Sequence, residues 1–163
     1  MLTSPPLTSR DVTAWTFAGA EFIYVRLHGR PDVPDTWFGQ APDGGTVTAL
    51  TLDGLAGLHL PDVVVLLGTC YGADSPFPAA FYEAGARAVI AGAGANYAAT
   101  KDVVGADLLA RWVLRGLSAG LAVRHALLLA QARLSITSFR RANVNGQLIS
   151  PDADARKFQL IKV

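Results

Sequence analysis

Cysteine occurs once in this chain, at Cys70, and methionine once, at Met1. A single thiol excludes an internal disulfide and a zinc site built on thiolates, and makes a reducing, cytoplasmic setting the default. Histidine is nearly as scarce. His28, His59 and His125 are the full set, and none stands at metal-ligand spacing to an acid, so no metal and no cofactor is expected. Charge is thin as well. The 14 basic and 13 acidic residues almost cancel, which leaves no basic field for nucleic acid; Arg140-Arg141, the densest basic spot, reads as a solvated helix end. Long apolar runs are missing too. The richest stretch, residues 103–132, is interrupted by Asp107, Arg111, Arg115, Arg124 and His125, so no membrane span is expected. Residues 1–6 lack a basic start followed by an apolar core, so they are not expected to be a secretory signal.

What is present is an apolar half of the chain over 163 residues, enough for one domain with one core. Residues 1–163 read as a single domain, with 1–19 a frayed lead-in that holds at most a short edge strand over 12–17. Residues 20–27 predict a strand. Residues 30–45 carry Pro31, Pro34, Pro42 and Gly44-Gly45, so a long loop or hairpin follows. Leu50, Leu52, Leu55 and Leu58 predict a short crossover helix over 48–58. Residues 63–67 form a continuous apolar run with three β-branched side chains, the pattern of a strand buried on both faces in a parallel sheet. A helix is predicted over 76–84 with Gly85 as its C-cap, then a strand over 88–91. A helix over 101–115 broken by Gly116 comes next, then one capped by Ser118 and running to 134. Its core stripe is read as Leu121, His125, Leu128, Leu129 and Ala132. A last strand is predicted over 158–163. The order indicates an α/β fold with a doubly wound, mostly parallel sheet flanked by helices.

The candidate chemistry lies at one sheet edge. Cys70 falls at the carboxyl end of the central strand, in Gly68-Thr69-Cys70-Tyr71-Gly72, and His28-Gly29 ends the first strand. Ligands bind at that edge of open α/β sheets. A thiol and an imidazole there can act as nucleophile and base, although a lone cysteine is also often a small buried hydrophobe. Gly29 would let a carbonyl approach a backbone N–H, as an oxyanion hole requires. The segment around Cys70 also fits a nucleophile elbow with Cys for Ser. That reading needs a downstream histidine, and only His125 is available. Gly92-Ala93-Gly94 hints at a dinucleotide loop but lacks the third glycine, since residue 97 is Tyr.

A strand ending in His-Gly, a crossover, and a strand ending in small-Cys-x-Gly resembles the caspase-like cysteine peptidases. The likeness is nearest the bacterial CHAT-domain and gingipain-like branches. Residues 84–92, 116–134 and 152–163 resemble the segments that follow the cysteine strand there, so the likeness spans residues 20–163. Carried over, it implies a caspase-like sheet, His28 as catalytic histidine, Cys70 as nucleophile, and the Gly29 and Cys70 amides as oxyanion donors. This chain departs from the pattern at three places. Thr69 precedes the cysteine where the family usually has Ala, and Gly68 stands where members specific for Arg or Lys carry Asp. The part before the histidine strand is also short.

The resemblance thus implies a cysteine endopeptidase acting on a peptide or protein substrate through a Cys-His dyad. Gly68, Thr69, Gly94 and Asn96 are expected to line the substrate pocket, within a wall running to Tyr97. Asp74 and Asp102 are the nearest acids, and an uncharged or small residue is expected before the cut. The alternative is a catalytically silent caspase-like module for protein interaction or assembly, with a homo-oligomer formed through an open sheet edge. Neither reading involves nucleic acid or membrane.

Overall fold

The computed structural model describes residues 14–41, 43–96, 105–137, 142–144, 147–149 and 155–161. In chain order the strands are β1 (Phe22–Val25), β2 (His28–Arg30), β3 (Val33–Gln40), β4 (Thr46–Thr51), β5 (Val64–Leu67), β6 (Ala88–Gly92), β7 (Ala142–Val144), β8 (Gln147–Ile149) and β9 (Phe158–Leu160). The helices are α1 (Phe77–Glu83), α2 (Gly105–Ser118) and α3 (Val123–Thr137). The protein is α/β. Its main sheet has the order β1-β5-β6-β9, with β1, β5 and β6 parallel and β9 antiparallel. Strands β2, β3 and β4 form a separate antiparallel sheet, and β7 pairs with β8.

The alternation of side chains along β5 explains the layering. Val63, Val65 and Leu67 face a core that holds Phe77 and Phe81 of α1, while Val64 and Leu66 face one that holds Leu109, Val113, Leu127 and Leu134 of α2 and α3. A strand between two apolar layers has no polar face to offer, hence the unbroken run. The three-stranded sheet joins the first core through Trp37. Its ring, 1 % exposed, stacks on Phe77 with centroids 3.7 Å apart. Gly85, at φ +98°, ends α1 as expected. Among the described residues no helix is long and apolar enough to cross a membrane.

Five expectations are corrected. Residues 14–17 form a 3-10 turn in place of an edge strand. Residues 48–58 contain the end of β4 and then a 3-10 turn at Asp53–Leu55, because the alternation of exposed Thr46 and Thr48 with the more buried Val47 and Ala49 against β3 outcompetes the leucine spacing. His28 does not end β1, which stops at Val25; it opens β2. Gly116 does not break its helix. It lies inside α2, where an added Cβ would come within 2.9 Å of the Ala126 Cβ, so its bareness serves close packing of α2 on α3. Ser118 accordingly ends α2 rather than capping α3.

Candidate active site

The pairing of Val25 with Leu67 sets the carboxyl ends of β1 and β5 level. Past Leu67 the chain turns through Gly68 and Thr69 to Cys70. Past Val25 it runs through Arg26 and Leu27 into β2. The two exits are tied together, since the Leu27 N–H donates to the Thr69 hydroxyl at 3.4 Å. They touch most closely at Gly29, where an added Cβ would overlap the carbonyl oxygen of Cys70 and lie 2.9 Å from the Thr69 methyl. Only glycine permits that approach. His28, exposed, is the residue immediately before it.

The thiol is seated by Asn96. Its S–H donates to the Asn96 carbonyl at 3.2 Å, and the Asn96 N–H donates back to Sγ at 3.3 Å. The Asn96 side-chain amide donates to the Thr69 carbonyl at 2.9 Å, while its Oδ1 is buried without a hydrogen-bond partner among the described residues. The loop after β6 is stitched to the cysteine loop by the Tyr71 N–H on the Gly94 carbonyl and the Ala73 N–H on the Gly92 carbonyl. Asp74 accepts the Gly94 N–H at 2.8 Å, and Lys157 donates to the Ala95 carbonyl at 2.7 Å. Tyr71 sits at φ +57°, a left-handed conformation that costs a non-glycine residue about 1–3 kcal/mol and that surrounding structure must enforce. The bonds at Tyr71, Ala73 and Asp74 hold this loop against the one after β6. The Cys70 N–H has no hydrogen-bond partner among the described residues.

Beside the cysteine lies a small open cleft of about 100 Å³, lined by Arg30, Pro31, Pro34, Trp37, Cys70, Tyr71, Asp74 and Ser75. The expected walls differ from this. Thr69 is fully buried, and Gly68 is buried with its Cα against the Tyr24 ring, so both support the cysteine from beneath instead of lining the cleft. Gly94 and Asn96 act through the hydrogen bonds above. Asp74 does line the cleft. Tyr97 and Asp102 lie outside the described residues. The structure adds Arg30, Pro31 of the β2–β3 turn and Pro34 of β3, whose only sequence signal is a proline-rich loop next to a strand-end histidine. Arg30 forms a two-pronged surface pair with Asp32, at 2.6 and 3.1 Å, which holds the Asp32 carboxyl below its ordinary range.

On the other face of the sheet, the Tyr24 hydroxyl donates to Asp107 at 2.7 Å, and Arg26 pairs with the same carboxylate at 3.1 Å. Burial, reinforced by the Asp107 charge, pushes the Tyr24 phenol well above its ordinary value. The ring is thereby fixed against Gly68, two residues before the thiol. His125 is exposed on α3, so it is not the buried or boundary stripe residue expected. No family model and no curated protein matches the chain.

Proposed function

We propose that the protein is a cysteine endopeptidase of the caspase-like kind, with Cys70 as nucleophile and His28 as its acid–base partner. The observation that carries this reading is the contact of Gly29 with the Cys70 carbonyl. It sets the histidine strand and the cysteine loop side by side at the carboxyl edge of a parallel sheet, next to an open cleft. In the proposed reaction the Cys70 thiolate attacks the scissile carbonyl carbon. The oxyanion takes hydrogen bonds from the Cys70 and Gly29 N–H groups. His28, holding the thiol proton, gives it to the leaving amine, and the acyl-enzyme is hydrolysed by a water that His28 deprotonates. The thiol's present bonds go to Asn96 and not to His28; catalytic hydrogen bonds are often long before substrate binds.

A quenched-fluorescence peptide library, read with an acyloxymethyl ketone probe for the thiol, tests the proposal. Cys70→Ala is expected to abolish turnover and labelling, and His28→Ala to lower turnover by about 10²–10⁴-fold. The double variant should be no worse than Cys70→Ala, because residues acting as one unit are not additive. No turnover of any peptide and no labelling of folded protein would leave the second reading, a silent interaction module. That reading draws support from the thiol's tie to Asn96 and from the unpaired outer edge of β1 among the described strands.

A further inference from the structure

The helix α3 is apolar on two sides. Ala126, Leu127, Ala130 and Leu134 are buried against the sheet and α2. Directly opposite, at helical spacing, His125, Leu128, Leu129, Ala132 and Ile136 form a second stripe that faces solvent, with Leu128 52 %, Leu129 45 % and Ile136 74 % exposed. A helix apolar all round belongs in an interior, and a contiguous exposed patch of this kind marks a docking surface. We propose that this outward face of α3, with the adjoining face of α2, binds an acidic amphipathic helix of a partner protein.

Charge selects the occupant. Arg124 and Arg133 border the stripe on either side, and Arg111 and Arg115 stand on the outer face of α2. The only acid in residues 105–137 is Asp107, and it is held by Tyr24 and Arg26 on the sheet side. Among the described residues the face is therefore leucine framed by one sign of charge, the arrangement in which flanking charges choose a helical partner. A second copy fits badly, since a two-fold contact would set arginines against arginines. A bilayer fits less well than a helix. Trp112, the residue type that anchors in a membrane interface, is held between Arg115 and Arg133, with guanidinium carbons 4.8 and 4.5 Å from its ring. The chain as a whole, at net charge +1, also has little attraction for an anionic surface.

The test uses a labelled designed peptide of about 20 residues, long enough to hold a helix, with leucines on one stripe and glutamates on both flanks, titrated against the full chain. Its twin carries lysine for each glutamate. The acidic peptide is expected to bind at least about tenfold tighter than the basic one, a difference of about 1.4 kcal/mol. Arg124→Glu with Arg133→Glu should invert that preference, and Leu128→Asp with Leu129→Asp should abolish binding while thermal melting stays unchanged. These side chains are exposed, so the fold does not depend on them, and the same results are expected in Cys70→Ala protein. Equal binding of both peptides, or none, overturns the proposal. So does retention on phosphatidylserine vesicles without peptide binding, or a dimer by light scattering that Leu128→Asp dissociates.

Discussion

Gly29 makes two demands on its surroundings. Its backbone must touch the Cys70 carbonyl, and in the proposed mechanism the residue before it must reach the thiol. Gly29→Ala places a methyl group where that carbonyl oxygen already is, and neither partner is the end of a flexible side chain. Overpacking of this kind costs about 1–3 kcal/mol, so the urea midpoint should fall, and turnover should fall further than stability because β2 must move away from Cys70. An unchanged midpoint with full turnover would show that the two loops are not in register. Tyr24 offers a second test, through pH. A phenol whose folded value is raised holds its proton in the native state after the unfolded chain has lost it. Its contribution is thus complete below about pH 10 and declines as pH rises above that ordinary value. Relative to Tyr24→Phe, wild type should lose about 1.4 kcal/mol more over the whole interval from pH 9 to pH 11, read from denaturant unfolding curves. Parallel curves for the two proteins would rule out Tyr24 as the source.

Elements whose side chains meet only one environment were legible in the sequence. The runs at residues 63–67 and 88–91 are apolar without interruption because both faces are covered, and they appear as β5 and β6. Cys70 at the end of the first of these, beside an open cleft, was legible for the same reason. Elements with two competing periodicities were not. On α3 the exposed stripe is at least as apolar as the buried one, so spacing alone chose the wrong face. In β4 the leucines concealed a Thr-Val-Thr alternation. The Asn96 seat and the Tyr24–Asp107 bond join residues 26 and 83 positions apart, and nothing local in the chain announces them. The packing of α2 on α3 yields a prediction in which two effects oppose. Gly116→Ala gains about 1 kcal/mol of helix propensity, yet its methyl lies 2.9 Å from the Ala126 Cβ and 3.1 Å from the Ala126 Cα. The Ala126 Cα is backbone and does not yield, so a net loss of about 1 kcal/mol is expected on chemical denaturation. A net gain would mean that the helices separate easily.

At the scale of the whole molecule, the candidate site is shared between two sheets. Cys70 and its Asn96 seat belong to the main sheet, while His28, Gly29 and Arg30 belong to the smaller one. Apart from the loop contacts at Leu27 and Gly29, the smaller sheet is held through the buried Trp37, stacked on Phe77, with Leu50 beside it in the same core. Removing a buried tryptophan side chain costs about 3–5 kcal/mol, a large share of the stability of a domain this size, about 5–15 kcal/mol. The loss should not spread evenly. Strands β5 and β6 keep α1 on one face and α2 with α3 on the other, whereas β2, β3 and β4 lose their one large anchor. In Trp37→Ala, hydrogen exchange should therefore quicken by about 10²-fold or more in β2, β3 and β4, at 1.4 kcal/mol for each tenfold, and much less in β5 and β6. Peptide turnover should fall with the loss of His28 from the edge, while Cys70 remains open to a small alkylating reagent. Equal acceleration in both sheets would show instead that they open as one unit, and that the histidine strand is held to the cysteine by the whole core rather than by this single stack.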